Sequence, residues 1–370
     1  VFGLRRRGDA ESAQKGMTLE LNEPDTDIRL VSSVDRDTPC IIWWLRHDLR
    51  LADNPALDAA ARHGRVVPVY VFEVEAHTAP YAGAAGRGAL HYSLKDLNKR
   101  LGGAIRFYSG SAAQVLERLC HRYGAEGVYY TRQFTPGGIA CEREVERAML
   151  KARLSTFPHN GAYLWEPQQV LKDDGSAYRV FTPFYRNALE HAPLPRHPIP
   201  APQVLELVSL DTEKEGDVKA IGLLPAHPWG DKLMQHWDMG EAAAHVRLDS
   251  FVTHGLPEYS NARDYPARSG VSRLSISLAL GEVSPQQLWH AVAGSTNQDL
   301  SRDSEGFAFR RQLGWREFCL NQVWHNPEIR WRNLQEKFER FPWRDDAEAL
   351  QRWQRGETGY PLVDAGMREL

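Results

Sequence analysis

The amino-acid sequence predicts an α/β fold in which a doubly wound parallel sheet is joined by a long linker to an all-helical domain. Short apolar runs alternate with helix-like segments in the first part of the chain, and helical periodicity dominates after the linker. The linker itself is rich in proline, which breaks helices. We therefore predict four segments: a flexible extension (1–38), an α/β domain (39–189), a linker (190–239) and a helical domain (240–370).

Strands and helices alternate through the α/β domain, beginning with Cys40–Leu45, a wholly apolar run typical of a strand buried on both faces. A helix follows, with Asp53 or Asn54 as N-cap, Pro55 at its first position and Gly64 at its end. Such alternation predicts a parallel sheet, whose ligands bind beyond the carboxyl ends of the strands. The glycine-rich residues 83–88 follow no strand directly and are interpreted as a connecting loop. The remaining strands are predicted at 66–72, 104–109 and 127–131, and the remaining helices at 89–101, 112–123 and 139–152.

The composition is that of a globular protein. The chain has 370 residues, 42% of them hydrophobic and 25% charged, so it can bury two cores. The net charge of −3 gives no general attraction to nucleic acids or anionic membranes, and any basic binding surface must be local. The four cysteines show no zinc-site spacing, and no apolar run is long enough for a membrane helix.

Two groups of residues in the helical domain suggest chemistry. Hydroxyl and backbone N–H groups at a helix start suit a phosphate or pyrophosphate, although they are also common as plain helix caps. Gln312 and Trp315 lie three residues apart on one helix face, which suits recognition of a heterocycle or, equally, a buried tryptophan with a satisfied N–H. The first group lies in a turn-rich segment before a predicted helix and comprises Tyr259, Arg263, Ser272, Arg273 and Ser275.

The chain contains eleven tryptophans, and five of them lie close together near the end of the sequence. They predict either a tryptophan-rich helical core or a site for redox chemistry or aromatic stacking. These five are Trp315, Trp324, Trp331, Trp343 and Trp353.

Several stretches resemble, in the same order and at similar spacing, the motifs of the photolyase/cryptochrome family. The run "IIWWLRHDLRLADNPALDAAARHGRVVPVYVF" resembles the opening of that family's antenna domain, and residues 164–189 resemble its last strand and the start of its linker. The stretches "GVSRLSISLALGEVSP", "QLGWREF" and "WQRGETGYPLVDAGMREL" resemble successive motifs of its FAD-binding domain. Together they cover most of residues 40–370.

The resemblance implies a Rossmann-like antenna domain and a helical domain that holds non-covalent FAD. It also implies a lyase that extrudes a pyrimidine dimer from UV-damaged DNA and splits it with an electron from light-excited, reduced flavin. The expected partner is UV-damaged DNA, with no membrane and no metal. We expect a monomer in a bacterial-type cytoplasm, or in the nucleus or an organelle if the source is eukaryotic.

Individual site residues follow from the same resemblance. Arg263 matches an arginine at the DNA-facing rim, and Trp315 matches the indole that packs against the extruded dimer. Trp343 aligns with the surface end of a tryptophan relay that reduces the flavin. Val271 stands where many relatives have Thr, so one hydroxyl contact is missing. The expected flavin contacts are Tyr259, Ser272, Arg273, Leu274, Ser275, Gln312 and Arg316, and the expected DNA contacts are Arg263, Gln312, Trp315 and Arg316.

Gln312 leaves the type of reaction open. Enzymes that repair cyclobutane dimers usually carry Glu at this position, whereas Gln resembles (6-4) photolyases and animal cryptochromes. A neutral amide can still donate a hydrogen bond to a pyrimidine carbonyl, and we expect a flatter pH dependence of repair than with Glu. Repair of cyclobutane dimers is the leading hypothesis. The alternatives are a (6-4) photolyase and a cryptochrome photoreceptor without repair activity.

Two further expectations concern the second chromophore and the end of the chain. Gly137 and Gly138 replace the Asn-Glu pair that binds an antenna folate in some relatives, which argues against folate and leaves a second chromophore unassigned. The final residues 360–370 resemble the start of a helix deep within the flavin domain. We therefore expect a C-terminally truncated chain that holds FAD poorly and exposes apolar surface.

Overall fold

The computed structural model describes residues 26–32, 38–73, 83–224, 229–294 and 304–369. The chain forms two compact units, which divide between His325 and Asn326. Much of the predicted flexible extension, residues 1–25 and 33–37, lies outside the described residues.

A seven-stranded parallel sheet forms the first half of the described chain. The sequence predicts a parallel sheet but only four of its strands, β2 to β5. The strand order is β1-β7-β3-β2-β5-β6, and β4 also pairs with β3. The strands are β1 (Asp27–Val31), β2 (Cys40–Leu45), β3 (Arg65–Phe72), β4 (Arg106–Ser109), β5 (Gly127–Thr131), β6 (Ser155–His159) and β7 (Val204–Val208).

Helices cover both faces of the sheet, which explains the wholly apolar sequence of β2. Alternate residues of β2 belong to two separate cores: Ile41 and Trp43 to one, Ile42 and Trp44 to the other. The first core includes side chains of α1 and α2, and the second includes side chains of α3 and α4. The four helices are α1 (Pro55–His63), α2 (Ala84–Arg100), α3 (Ala112–Tyr123) and α4 (Pro136–Lys151).

The predicted start and end of α1 are confirmed. The side chain of Asn54 accepts a hydrogen bond from the backbone N–H of Leu57, Pro55 occupies the first helical position and Gly64 ends the helix. Of the two residues considered for the N-cap, Asn54 is therefore the one that fills it.

Three sequence predictions were wrong in part. Asp27–Val31 is not flexible extension but an edge strand, and it pairs with Val204–Val208, which lies within the predicted linker. The sequence of β1 (DIRLV) is interrupted by charged residues, whereas that of β7 (VLELV) is mostly apolar and lies in a proline-rich segment. Their pairing joins segments far apart in sequence, so local patterns do not indicate it. Residues 84–88, predicted as loop, form the first turn and a half of α2 because a helix tolerates glycine when its neighbours pack.

The remaining described helices belong to the helical part of the chain, apart from α5 and α6, which precede residue 240. A third hydrophobic core is built from buried side chains of α5, α7, α8, α10 and α11. The helices are α5 (Phe181–His191), α6 (Trp229–Met234), α7 (Glu241–Ser250), α8 (Tyr259–Ala262), α9 (Ser275–Leu280), α10 (Pro285–Gly294), α11 (Glu305–His325), α12 (Ala347–Gln354) and α13 (Pro361–Glu369).

Within the first unit, a buried carboxylate on α7 fastens the helical part to the loop that follows β2. The backbone N–H groups of Leu51 and Ala52 donate to Glu241 at 2.7 and 2.8 Å, and Arg100 donates to it at 2.6 Å. Glu241 is almost fully buried, so these charge-assisted bonds offset its desolvation.

A second set of buried polar contacts, around Asp53, also joins the sheet to the helical part. The carboxylate of Asp53 accepts from Ser284 at the start of α10 and pairs with Arg196 of the linker. The Arg50 guanidinium donates to the carbonyl oxygen of Gly281 at 3.0 Å. Loss of one member would leave a buried charge without its partner, so the sheet and the helices of this unit fold together.

The second unit contains α12 and α13. Its turn before α13 is held by Asp364, whose carboxylate accepts from the backbone N–H groups of Thr358 and Gly359 at 2.7 and 3.0 Å. Hydrogen bonding by Thr358 lowers the pKa of Asp364. Pro361 is the first residue of α13, as expected of proline at a helix start. Among the described residues of both units, no helix has the length and apolar character needed to cross a membrane.

Candidate functional site

The predicted recognition residues lie on α11, where α5 packs closely against it. Gly314 of α11 faces Tyr185 of α5, and a Cβ at position 314 would lie 2.5 Å from the tyrosine ring. Only glycine permits this approach. The two helices therefore meet at the segment that carries Gln312, Trp315 and Arg316.

Trp315 is a half-exposed indole with one face covered. Its ring stacks on Phe181 at 3.8 Å between centroids with an interplanar angle of 9°, and 39% of the residue remains exposed. Phe318 meets the same indole edge-on at 5.7 Å. Trp315 is therefore not the buried tryptophan that the sequence offered as an alternative. The uncovered side of its ring is open to a planar ligand.

Arg316 points towards the segment that follows β6. Its Nη1 donates to the carbonyl oxygen of Ala162 at 2.9 Å, and its guanidinium lies 4.8 Å over the ring of Tyr163. These contacts hold the side chain half-buried. The expected flavin and DNA contacts of Arg316 remain predictions.

Glu317 was not singled out from the sequence, yet it is the most perturbed carboxyl group on α11. Its side chain is buried, accepts a hydrogen bond from the backbone N–H of Trp165 at 3.3 Å and lies 3.3 Å from Arg316. Burial raises the pKa of Glu317 to about 7, and the nearby Arg316 charge opposes this rise. A buried acid on the inner face of a helix could have been suspected from its place among apolar residues.

Gln312 is half-buried and lies one helical turn before Trp315 and Arg316. At this spacing its amide is on the same side of α11 as those two residues. An amide offers two N–H donors and one acceptor and carries no charge at any pH. The arrangement therefore combines a neutral hydrogen-bonding group with an aromatic surface.

Tyr259 packs against the same helix. Its ring lies edge-on to Phe309 of α11 at 5.5 Å and to Phe251 at 5.6 Å. The guanidinium of Arg263 lies 5.6 Å over the Tyr259 ring, and Arg263 itself is exposed. The structure thus brings Tyr259 and Arg263 to the first half of α11, whereas the predicted DNA contact of Arg263 stays a prediction.

The predicted phosphate-binding residues form a turn before α9. Arg273 has a positive φ of 52°, which is uncommon for a residue other than glycine. Ser272 Oγ accepts from the backbone N–H of Leu274 at 3.4 Å, and Leu274 is buried in the core that contains Tyr259. Arg273 and Ser275 are exposed. A buried leucine therefore anchors a turn whose polar side chains face outwards.

This donor set fits an anionic dinucleotide. Hydroxyl groups and a guanidinium are the usual partners of phosphate oxygens, and consecutive N–H groups in a turn of mixed handedness suit an anion. Ser272, Arg273 and Ser275 are the residues that would hold the two phosphates. No contact of this turn with Gln312 or Arg316 is described, so the structure does not itself join the two halves of the predicted flavin site.

Trp343 belongs to the second unit. It is 76% exposed, and its indole lies 4.6 Å from the ring of Phe341. An exposed indole is what the surface end of an electron relay requires, and this role of Trp343 stays a prediction. Among the described residues, no cluster of three or more His, Cys, Asp or Glu side chains could hold a metal ion.

The carboxyl edge of the sheet, where such folds bind ligands, is filled by side chains at its centre. Arg46 follows β2 and pairs there with Glu142 of α4, and its Nη2 donates to Gln133 at 3.1 Å. All three side chains are buried. Gly138 contributes its carbonyl oxygen at 3.4 Å from the same nitrogen. This network occupies the point between β2 and β5 at which the strand order reverses.

Two family models match the sequence. Residues 41–203 match DNA photolyase, and residues 309–370 match the FAD binding domain of DNA photolyase. The second match assigns FAD as the cofactor of the helical part of the chain.

Named relatives and a solved structure agree with these matches. The chain is similar to deoxyribodipyrimidine photo-lyase of Agrobacterium fabrum, with 39% identity over 340 residues that cover 90% of this chain and 69% of the relative. It is also similar to cryptochrome-1 of Arabidopsis thaliana, with 28% identity over 350 residues that cover 90% of this chain and 50% of the relative. The crystal structure of a bacterial class III photolyase from Agrobacterium tumefaciens matches with a TM-score of 0.82 and 37% identity, over 90% of this chain and 69% of that one. The fold class predicted from the sequence is confirmed.

Proposed function

Because this chain belongs to the photolyase/cryptochrome family, we propose that it is a DNA photolyase that splits cyclobutane pyrimidine dimers under blue light. The observation that carries the proposal is the half-exposed Trp315, which stacks on Phe181 and lies one helical turn from the Gln312 amide. A flat apolar surface beside a neutral hydrogen-bonding group suits an uncharged, extruded pyrimidine. The 39% identical relative that bears the name of such an enzyme supports the same reaction.

FAD, when bound and reduced, supplies the light-driven electron for this reaction. The turn of Ser272, Arg273 and Ser275 would hold its phosphates, and Tyr259 belongs to the same core as Leu274 of that turn. A hydrogen bond to the carbonyl oxygen of Ala162 holds the Arg316 side chain in place.

The remaining residues recognise the lesion. Trp315 stacks against the extruded dimer, and the Gln312 amide donates to a pyrimidine carbonyl. Arg263 binds a phosphate at the rim, since its guanidinium is exposed. Trp343 would be the surface residue through which an external reductant supplies electrons to the flavin. We propose that the protein acts on UV-damaged DNA as a monomer in the cytoplasm.

Two other functions keep specific support. Gln312 in place of Glu favours repair of (6-4) photoproducts. The similarity to cryptochrome-1 over 350 residues favours a photoreceptor without repair activity. They differ from the main proposal in the lesion that is repaired, which is the (6-4) photoproduct in the first case and none in the second.

The test is illumination of the reduced, FAD-loaded protein with oligonucleotides that carry a cyclobutane dimer, a (6-4) photoproduct or no lesion. We expect light-dependent restoration of the cyclobutane dimer only. Restoration of the (6-4) photoproduct alone would establish the second function. Restoration of neither lesion by flavin-loaded protein would overturn the enzyme proposal and favour a photoreceptor.

A further inference from the structure

We propose that Phe181, in a three-ring platform with Tyr185 and Trp315, positions the Trp315 indole on which the proposed function stacks the extruded base, and that Arg311 binds the phosphate beside it. This proposal rests on the proposed function, because only that function identifies the preferred base as a dimerised pyrimidine. The three rings come from two helices, Trp315 from α11 and the other two from α5.

The three rings are nearly parallel. Trp315 and Phe181 stack at 3.8 Å with an angle of 9°, and Phe181 and Tyr185 stack at 5.4 Å with an angle of 13°. Phe181 and Tyr185 are buried, whereas Trp315 is half-exposed. Because Phe181 covers one indole face, the exposed area of Trp315 is on the far side of the stack. The only layer open to a ligand is therefore the outermost one.

The platform is fixed by its surroundings. Phe318 meets both Trp315 and Phe181 edge-on, at 5.7 and 5.9 Å and at angles of 81° and 77°. The close approach of α5 at Gly314 brings Tyr185 beneath Phe181. A base that stacks on Trp315 therefore meets an indole whose orientation is already set, so little conformational entropy is lost on binding.

Arg311 places a positive charge next to the stack. Its guanidinium lies 5.6 Å from the centre of the Phe181 ring, and its side chain is exposed. Within the part of the chain that the structure describes, no carboxylate forms an ion pair with Arg311. An exposed cation beside an aromatic surface is the combination that binds single-stranded or extruded nucleotides, through phosphate and base respectively.

The role of Phe181 is to position Trp315, and it is tested by dark binding of the FAD-loaded protein to two probes. The probes are a duplex with one cyclobutane dimer and single-stranded oligo(dT), whose bases are already unpaired. Phe181→Leu should weaken binding to both probes about 3- to 10-fold, the effect of one aromatic pair. Phe107→Leu is the matched control, because Phe107 is as buried as Phe181 but lies in the core of the sheet. It should leave both affinities unchanged.

A double variant shows whether Phe181 acts through Trp315. In a Trp315→Ala background, Phe181→Leu should cause no further loss, since the layer that it supports is absent. An equal loss in both backgrounds, or none in either, would overturn the platform. If Phe181→Leu is poorly folded, Phe181→Met preserves the volume and removes the ring.

Arg311→Gln tests the phosphate contact. It should weaken binding to damaged duplex, undamaged duplex and oligo(dT) by the same factor, and reduce the salt dependence of log Kd by about one phosphate contact. An unchanged salt dependence would remove Arg311 from the site. A wild-type protein without preference for the dimer would contradict the proposed function, whereas the effect of Phe181→Leu on oligo(dT) would still decide the platform.

Discussion

Glu317 is a single residue that makes the free energy of unfolding depend on pH. Its pKa is raised from 4.5 to about 7, chiefly by burial, although Trp165 and Arg316 stabilise the charged form. The folded protein therefore holds this proton more tightly than the unfolded chain does. The resulting stabilisation is complete below pH 4.5 and is lost as the pH rises through about 7.

Glu317→Gln should remove this dependence, because glutamine stays neutral while it can still accept from Trp165. Relative to wild type, the variant should gain stability as the pH rises from 5 to 8, by at most about 1.4 kcal/mol per pH unit. Urea unfolding at each pH measures the difference. Glu144→Gln, at an exposed carboxyl group of α4, is the control. A difference that does not vary with pH would show that Glu317 is ionised throughout.

Trp343 gives a second prediction at this scale. Phenylalanine is much harder to oxidise than tryptophan, so Trp343→Phe should slow light-driven reduction of bound FAD by an external reductant. Dimer repair by protein that has been reduced chemically should not change. Trp331→Phe is a matched control, since Trp331 is also exposed, at 66%. Equal photoreduction rates in wild type and Trp343→Phe would exclude Trp343 from the relay.

Sequence patterns find some of these residues and not others. Gln312 and Trp315 are recognisable because helical spacing puts them on one side of α11. Phe181 and Glu317 were missed because their importance depends on contacts more than a hundred residues away in sequence, with Trp315 and Trp165 respectively. Local periodicity marks such residues only as apolar or buried.

At the scale of elements, the close packing of helices on the sheet depends on Gly281, between α9 and α10. It has a positive φ of 78°, and a Cβ there would lie 2.0 Å from the carbonyl oxygen of His47. Gly281→Ala should therefore cost at least about 3 kcal/mol of unfolding free energy, from backbone strain and the displaced loop.

Gly88→Ala is the control for that experiment. Gly88 lies within α2, and a Cβ at this position would meet no atom within 4 Å. Alanine should stabilise α2 by roughly 0.5–1 kcal/mol. Urea unfolding of both variants separates the two effects, and a similar small change in both would show that the approach at Gly281 relaxes easily.

Elements with strong local signals were predicted well. The bounds of β2, α3 and β5 match the predicted ranges, because a fully apolar run or a capped amphipathic helix is specified by neighbouring residues. The strands β1, β6 and β7 were missed. The pairing of β1 with β7 is long-range and β1 is only partly buried. The start of α2 was missed because glycines that usually indicate a loop are tolerated in that helix.

For the whole molecule, alternation of strands and helices was enough to predict the fold class. It was not enough to assign β7, which comes from the proline-rich segment and lies between β1 and β3 in the sheet. Similarly, the motifs of the helical part indicated the cofactor. The contacts by which Glu241 and Asp53 join that part to the sheet could not be predicted, because their partners are far away in sequence.

The central claim is that this chain uses blue light to drive dimer repair. It is tested most directly by counting the dimers repaired per flash of light. Reduced, FAD-loaded protein is bound in the dark to an oligonucleotide with one cyclobutane thymine dimer and given single-turnover blue flashes. We predict that the repaired fraction rises with every flash and stays constant between flashes. A dimer that remains intact after many flashes, although it is bound, would contradict the account.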